Sequence, residues 1–221
     1  MTTTSPAPGT ATPARPFDAV LCDLDNVIRF YDSSRLTELE RAAGLPEGTT
    51  ASVAFHPEQG GPLVLGQITK DQWVEQVADR LGGLGGRVRV PVQRARELAG
   101  ALARSPFRAD GAVVSALRGA RTAGLSVVLV TNAALDLEED LAAMGLTDLS
   151  DHVVNSALEG VAKPDPEIYA IAAGRAGAAP ERCLFVDDRR ENVEAAVALG
   201  MTGVHFRGPE DLRGALAFLD R

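Results

Sequence analysis

Four short, mostly apolar runs punctuate the chain: Asp18–Cys22, Leu125–Val130, Cys183–Val186 and Gly203–Phe206. His152–Val154 is a weaker fifth. They are rich in Val and Leu and lack polar alternation, which predicts strands buried on both faces. Helical periodicity fills the intervals, over Gly111–Thr122, Asp136–Ala143, Glu167–Ala176 and Glu191–Leu199. Gly124, Gly145, Gly177 and Gly200 follow closely, where helix-ending glycines belong. Strands alternating with helices predict an α/β domain built on a doubly wound parallel sheet.

The alternation breaks between residues 31 and 107, a span far longer than one crossover helix needs. Arg35–Ala43, Lys70–Leu81 and Val92–Arg104 carry helical periodicity there. The expected organisation is a lead-in over 1–16, a core over 17–30 and 108–221, and a small helical cap over 31–107. Hinges are expected near Tyr31 and near Ser105–Pro106–Phe107, and a flexible joint at Gly82–Gly86. Trp73 shares a helix face with Ile68, Val77 and Leu81, so packing is its better reading, and His56 before Pro57 reads as a loop residue.

Composition narrows the partners. The chain has 221 residues, 45% hydrophobic and 24% charged, enough for a full core. A formal net charge of −8 disfavours nucleic acid. A phosphorylated small molecule would then need a local cation. No apolar run approaches a membrane span, and the Thr-, Ala- and Pro-rich N-terminus lacks a secretory core and reads as disordered. Cys22 and Cys183 lie in apolar runs and are expected to be free thiols in a reducing, cytoplasmic compartment. Of 22 basic residues only Lys70 and Lys163 are lysines, so each invites the question of why arginine would not serve.

Four segments concentrate chemistry. Asp23 and Asp25 close the first strand, at the sheet edge where open α/β folds bind ligands. Two like charges there are costly unless a cation or proton sits between them, though capping alone is the better reading of this pair in isolation. Thr131-Asn132 ends the second strand and offers hydrogen-bond donors to an anion, or caps a turn. Lys163 sits on a turn fixed by Pro164 and Pro166, a compact positive charge where an exposed surface lysine is the alternative. Asp187-Asp188 exceeds what capping a helix requires, and a hard cation such as Mg²⁺ would account for the excess.

Together the segments DLDNVI, VTN, KPDPEIY and VDDRRENVEAAVALGM resemble the haloacid dehalogenase superfamily, over nearly all of the chain after residue 16. The cap position resembles the subfamily with small helical caps. The resemblance implies a Mg²⁺-dependent phosphohydrolase acting on a small organic phosphate. Asp23 would be the nucleophile and Asp25 the general acid and base. Thr131 and Asn132 would bind the phosphoryl group, and Lys163 would neutralise charge. Asp23, the Asp25 carbonyl and Asp188 would hold the metal, with Asp187 direct or through water. Asn26-Val27 departs from the usual residues after the second acid, but Asn tolerates left-handed geometry. Arg29 would supply the missing local cation, or equally pair with Asp32 on the surface.

Other activities on similar parts compete. Dehalogenation has no use for an acid at Asp25, because a halide leaves without a proton. A phosphomutase on the same scaffold stays open. A receiver-like signalling domain places its acidic pair first and its lysine late, and a silent phosphate-binding protein would not need the full set of polar residues. Oligomeric state is not readable.

Overall fold

In the computed structural model, residues 15–84 and 90–220 are described. The expected lead-in up to residue 14 and the Gly85-Gly86 part of the joint lie outside them. The strands are β1 (Ala19–Cys22), β2 (Arg29–Tyr31), β3 (Phe107–Ala109), β4 (Ser126–Thr131), β5 (His152–Asn155), β6 (Cys183–Asp187) and β7 (Thr202–His205). Five of them form one sheet in the order β5-β4-β1-β6-β7, and each pairing is parallel.

This is the doubly wound arrangement the alternation predicts, with β1 at its centre. The chain winds outward from β1 in both directions, so the crevice beyond the carboxyl end of β1 is the topological switch point. Every residue of β1 and β6 is buried, which explains their unbroken apolar character. Two layers of apolar side chains cover the sheet. One is gathered around Val113, Leu117, Leu141 and Leu212, the other around Ile168, Tyr169, Val193 and Ala196. Gly203 lets the sheet meet a helix closely: a Cβ there would lie 2.6 Å from the Val193 side chain.

The helices are α1 (Ser34–Ala42), α2 (Thr49–Ala54), α3 (Pro57–Val64), α4 (Lys70–Gly82), α5 (Val92–Ala103), α6 (Gly111–Thr122), α7 (Leu137–Ala143), α8 (Ser156–Glu159), α9 (Pro166–Ala176), α10 (Arg190–Ala198) and α11 (Pro209–Leu216). Helices α1–α5 stand between β2 and β3 and enclose an apolar cluster of their own, including Leu36, Leu63, Trp73, Val77 and Leu98. Trp73 is buried in it and donates its indole N–H to the Ala54 carbonyl at 3.2 Å. Thr69 and Gln72 form a reciprocal capping box at the start of α4. Glu40, 1% exposed, accepts from the backbone N–H of Gly48 at 2.7 Å and Thr50 at 2.6 Å, tying α1 to α2.

The segments expected to be hinges are paired with each other. β2 and β3 form an antiparallel ribbon with Tyr31 opposite Phe107. The helical layer also touches the sheet layer closely after α3. Gly66 has φ +67°, and a Cβ there would come within 2.2 Å of the Ala157 carbonyl oxygen. Beside it, the Ser156 hydroxyl donates to the Val64 carbonyl at 2.6 Å.

Candidate active site

Three strand ends and one loop converge at the carboxyl edge of β1. Asp23 follows β1 and is 5% exposed. Thr131 ends β4, Asp187 ends β6, and Lys163 stands on the loop before α9. The Lys163 ammonium lies 2.7 Å from Asp23 Oδ1 and 2.7 Å from Asp187 Oδ2, and donates to the Val130 carbonyl at 2.8 Å. Three acceptors match the three hydrogens of an ammonium. Burial works against the Lys163 charge, but Asp23 and Asp187 outweigh it and hold its pKa above the usual lysine value.

Asn132 fixes this loop. Its amide nitrogen donates to the Lys163 carbonyl at 2.9 Å, and its amide oxygen accepts from the Lys163 N–H at 2.8 Å. The side chain read as a phosphate ligand is therefore engaged in positioning Lys163, which leaves its backbone N–H and one amide hydrogen. Asn192, whose residue type in the segment VDDRRENVEAAVALGM carries no signal of its own, is 2% exposed and donates to both oxygens of Asp187 at 3.0 Å. The Arg189 N–H gives Asp187 Oδ1 another bond at 2.8 Å.

Oxygens of Asp23, Asp187 and Asp188 approach within 4.8 Å of one another, a hard-oxygen set suited to Mg²⁺. Their availability differs. The fully buried Asp187 already accepts from Lys163, Asn192 and Arg189, which fills its lone-pair sites. Asp188 is half-buried and accepts a side-chain bond from Asn26 at 3.1 Å. Asn26 adopts φ 60°, the left-handed geometry its residue type permits. Asp23 Oδ1 accepts from the Leu24 N–H at 2.7 Å and faces Lys163, while its Oδ2 takes no hydrogen bond among the described residues.

Burial pushes the Asp23 carboxyl up to about 7, against the pull of Lys163, and Asp187 adds to the rise. Burial also raises Asp188, against its bond from Asn26. Ionising these carboxyls is therefore costly, and either a proton or a further cation relieves the cost. The Thr131 hydroxyl is buried without a hydrogen-bond partner among the described residues, a polar atom in want of an acceptor or donor.

Asp25 and Arg29 stand slightly apart. Arg29 is 3% exposed and grips Asp25 with two nitrogens, at 2.6 and 3.0 Å, while a third meets Asp140 at 2.6 Å. Tyr31 and Phe107 flank the guanidinium at 5.1 and 5.6 Å from their ring centres. Surface pairing with Asp32 is corrected by this burial; Asp32 instead accepts from Ser34. Asp140 lies 111 residues from Arg29, beyond what local pattern reveals. Lys70 pairs with Asp136 at 2.9 Å, linking α4 to the residue before α7.

No helix of the described residues is long and apolar enough to cross a membrane. Residues 17–200 match the family of haloacid dehalogenase-like hydrolases. A phosphatase of Mycobacterium tuberculosis is 32% identical over 198 residues, covering 83% of this chain and 84% of its own. A sesquiterpene phosphatase of Aspergillus oryzae is 33% identical over 142 residues, covering 64% of this chain and 68% of its own. A solved hydrolase of the same family from Deinococcus radiodurans, with bound phosphate and sodium, is 26% identical with a TM-score of 0.59, covering 92% of this chain and 88% of that one. The chain with this central aspartate, its lysine and its paired acids belongs to the haloacid dehalogenase-like hydrolases.

Proposed function

We propose that this hydrolase is a Mg²⁺-dependent phosphatase that removes phosphate from a small organic monoester through Asp23. The observation that carries the reading is the cluster of Asp23, Asp187 and Asp188, of which the first two are buried against the Lys163 ammonium. The phosphatase names of two relatives agree with it.

Asp23 Oδ2, unencumbered by hydrogen bonds, attacks phosphorus in line with the ester oxygen. The P–O ester bond breaks, and the leaving oxygen takes a proton from Asp25 in its carboxylic acid form, which must first leave the Arg29 fork because both of its oxygens are held there. Asp25 then accepts a proton from water, which attacks the aspartyl-phosphate and restores the Asp23 carboxylate. Thr131 Oγ1 donates to a phosphoryl oxygen, which supplies the partner its buried hydroxyl lacks. Asp23, Asp188 and the Asp25 carbonyl would hold Mg²⁺, which when bound would neutralise charge on the phosphoryl group and nucleophile. Asp187 has its oxygens filled by Lys163, Asn192 and Arg189, so it would hold Lys163 and stand behind the metal ligands. Arg29 acts on Asp25, not on phosphate: its fork fixes the carboxylate in one orientation.

Turnover of an aryl phosphate tests the reading. Chelation of divalent cations should abolish it and Mg²⁺ should restore it; full activity in excess chelator rejects the metal assignment. Affinity for Mg²⁺ should also depend on pH with a set sign. With Asp23 raised to about 7 in the metal-free site, binding must displace a proton below that pH. Each unit of acidification below 7 should weaken Mg²⁺ about tenfold, with little change above it. Calorimetric titration from about pH 5.5 to 8.5 reads this directly, and a flat profile removes Asp23 from the ligand set.

Asp25→Asn should separate the two chemical steps. An aryl phosphate has a good leaving group and needs little acid assistance, whereas hydrolysis of the aspartyl-phosphate needs a base. A burst of one phenol per enzyme should precede a steady rate lowered by about 10²–10⁴. Unchanged steady turnover removes Asp25 from the mechanism.

A further inference from the structure

The site opens onto a cavity of about 700 Å³ between the sheet edge and the cap, which it meets through Asp25 and Asn132. That volume lies within the range of small-molecule pockets. The cap side of its wall is mostly apolar, with Leu36, Phe55, Leu63, Val64, Trp73 and Leu102. Phe55 is 66% exposed although its ring lies 6.1 Å from the buried Trp73. A large exposed aromatic at a cavity wall beside a reactive centre is apolar surface waiting for cover.

The charges lining the cavity are mostly spent. Arg29 is taken by Asp25 and Asp140, and Lys70 by Asp136. Arg104, the remaining lining cation, is exposed and has no carboxylate partner among the described residues. A second phosphate or carboxylate on the substrate would therefore meet paired ions and hydrocarbon through most of the cavity, with Arg104 its one available cation. Sugar hydroxyls would find hydrogen-bond partners only at Ser33, Ser105, Asn132 and the paired ions, and would lose water against the rest of the wall.

We infer that the cavity receives the organic half of the substrate and that this half is a bulky apolar group, so that the enzyme selects monophosphates of hydrophobic alcohols. The inference rests on the phosphatase reading for its chemistry, but the cavity can be probed without turnover.

With Mg²⁺ present, kcat/KM should be measured for methyl, butyl, octyl and dodecyl phosphate, and for glucose 6-phosphate and phosphoglycolate. It should rise about two- to fourfold per methylene through the shorter esters and level off once the cavity is filled. Octyl phosphate should exceed glucose 6-phosphate by about 10²-fold or more. Phe55→Ser, at a side chain whose exposure makes it dispensable for folding, should lower the octyl value about tenfold and the methyl value by no more than about twofold. Preference for glucose 6-phosphate or phosphoglycolate, or equal loss on both alkyl esters in the variant, overturns the inference. Calorimetric binding of methyl- and octylphosphonate separates it from the chemistry. Tighter binding of octylphosphonate with no turnover of any ester upholds the cavity and rejects the phosphatase reading. Equal affinities reject the cavity whatever the turnover.

Discussion

Asp23→Asn is expected to reduce kcat/KM for an aryl phosphate by about 10⁴-fold or more while the protein stays folded. The amide keeps the size of the carboxylate but cannot attack phosphorus. The fold should not suffer, for reasons visible in the geometry. The amide oxygen can still accept from the Leu24 N–H, a 2.7 Å bond in the native chain. Lys163 retains Asp187 at 2.7 Å and the Val130 carbonyl at 2.8 Å. A buried negative charge next to Asp187 is removed, so the melting temperature of the metal-free protein should hold within about 3 °C or rise slightly. Activity and thermal melts on the same purified sample check both halves. Persistent turnover rejects Asp23 as the nucleophile, and a collapsed melt shows that the carboxylate is structural.

The core strands were legible because burial on both faces leaves an apolar signature that needs no partner to be seen. Their ends shifted by a residue, with β4 running to Thr131 and not stopping at Val130. Helix α3 has no legible helical signature because its sequence, PEQGGPLV, carries two glycines and an internal proline. The β2–β3 ribbon exists only through pairing of Arg29 with Ala109 and its neighbours, which no local pattern encodes. The site divides in the same way. Asp23, Lys163 and Asp187 occupy strand ends and a proline-fixed turn, so their placement follows from the order of elements. The roles of Arg29 and Asn132 do not, because each is set by partners far along the chain: Asp140 for one, the Lys163 backbone for the other. Asn192 lies five residues beyond Asp187, inside a segment read only for its acids.

The two lysines test how much position matters for a charge. Lys163 is 1% exposed at its side chain and stands between two carboxylates that are 8% and 0% exposed. Lys163→Met leaves both without their cation, and losing one partner of a buried charge cluster costs about 3–5 kcal/mol. A chain of this size should then melt roughly 6–20 °C lower. The loss should depend on pH. Asp23 already sits at about 7 in the presence of Lys163, whose charge draws it down, so removal pushes it higher. The folded variant then holds a proton that the unfolded chain, at 3.8, has released, and its stability falls as pH rises between those values. The deficit should therefore be smaller near pH 5.5 than near pH 8. Mg²⁺ should narrow it at the higher pH by restoring positive charge. Lys70→Met removes a pair whose side chains are 36% and 33% exposed, so screening limits its cost to about 1 kcal/mol or less and its melt shifts by a few degrees at most. Thermal melts of both variants across pH decide the matter, and a Lys163→Met deficit that is flat with pH and indifferent to Mg²⁺ would mean that Lys163 packs as a hydrocarbon chain and not as a charge.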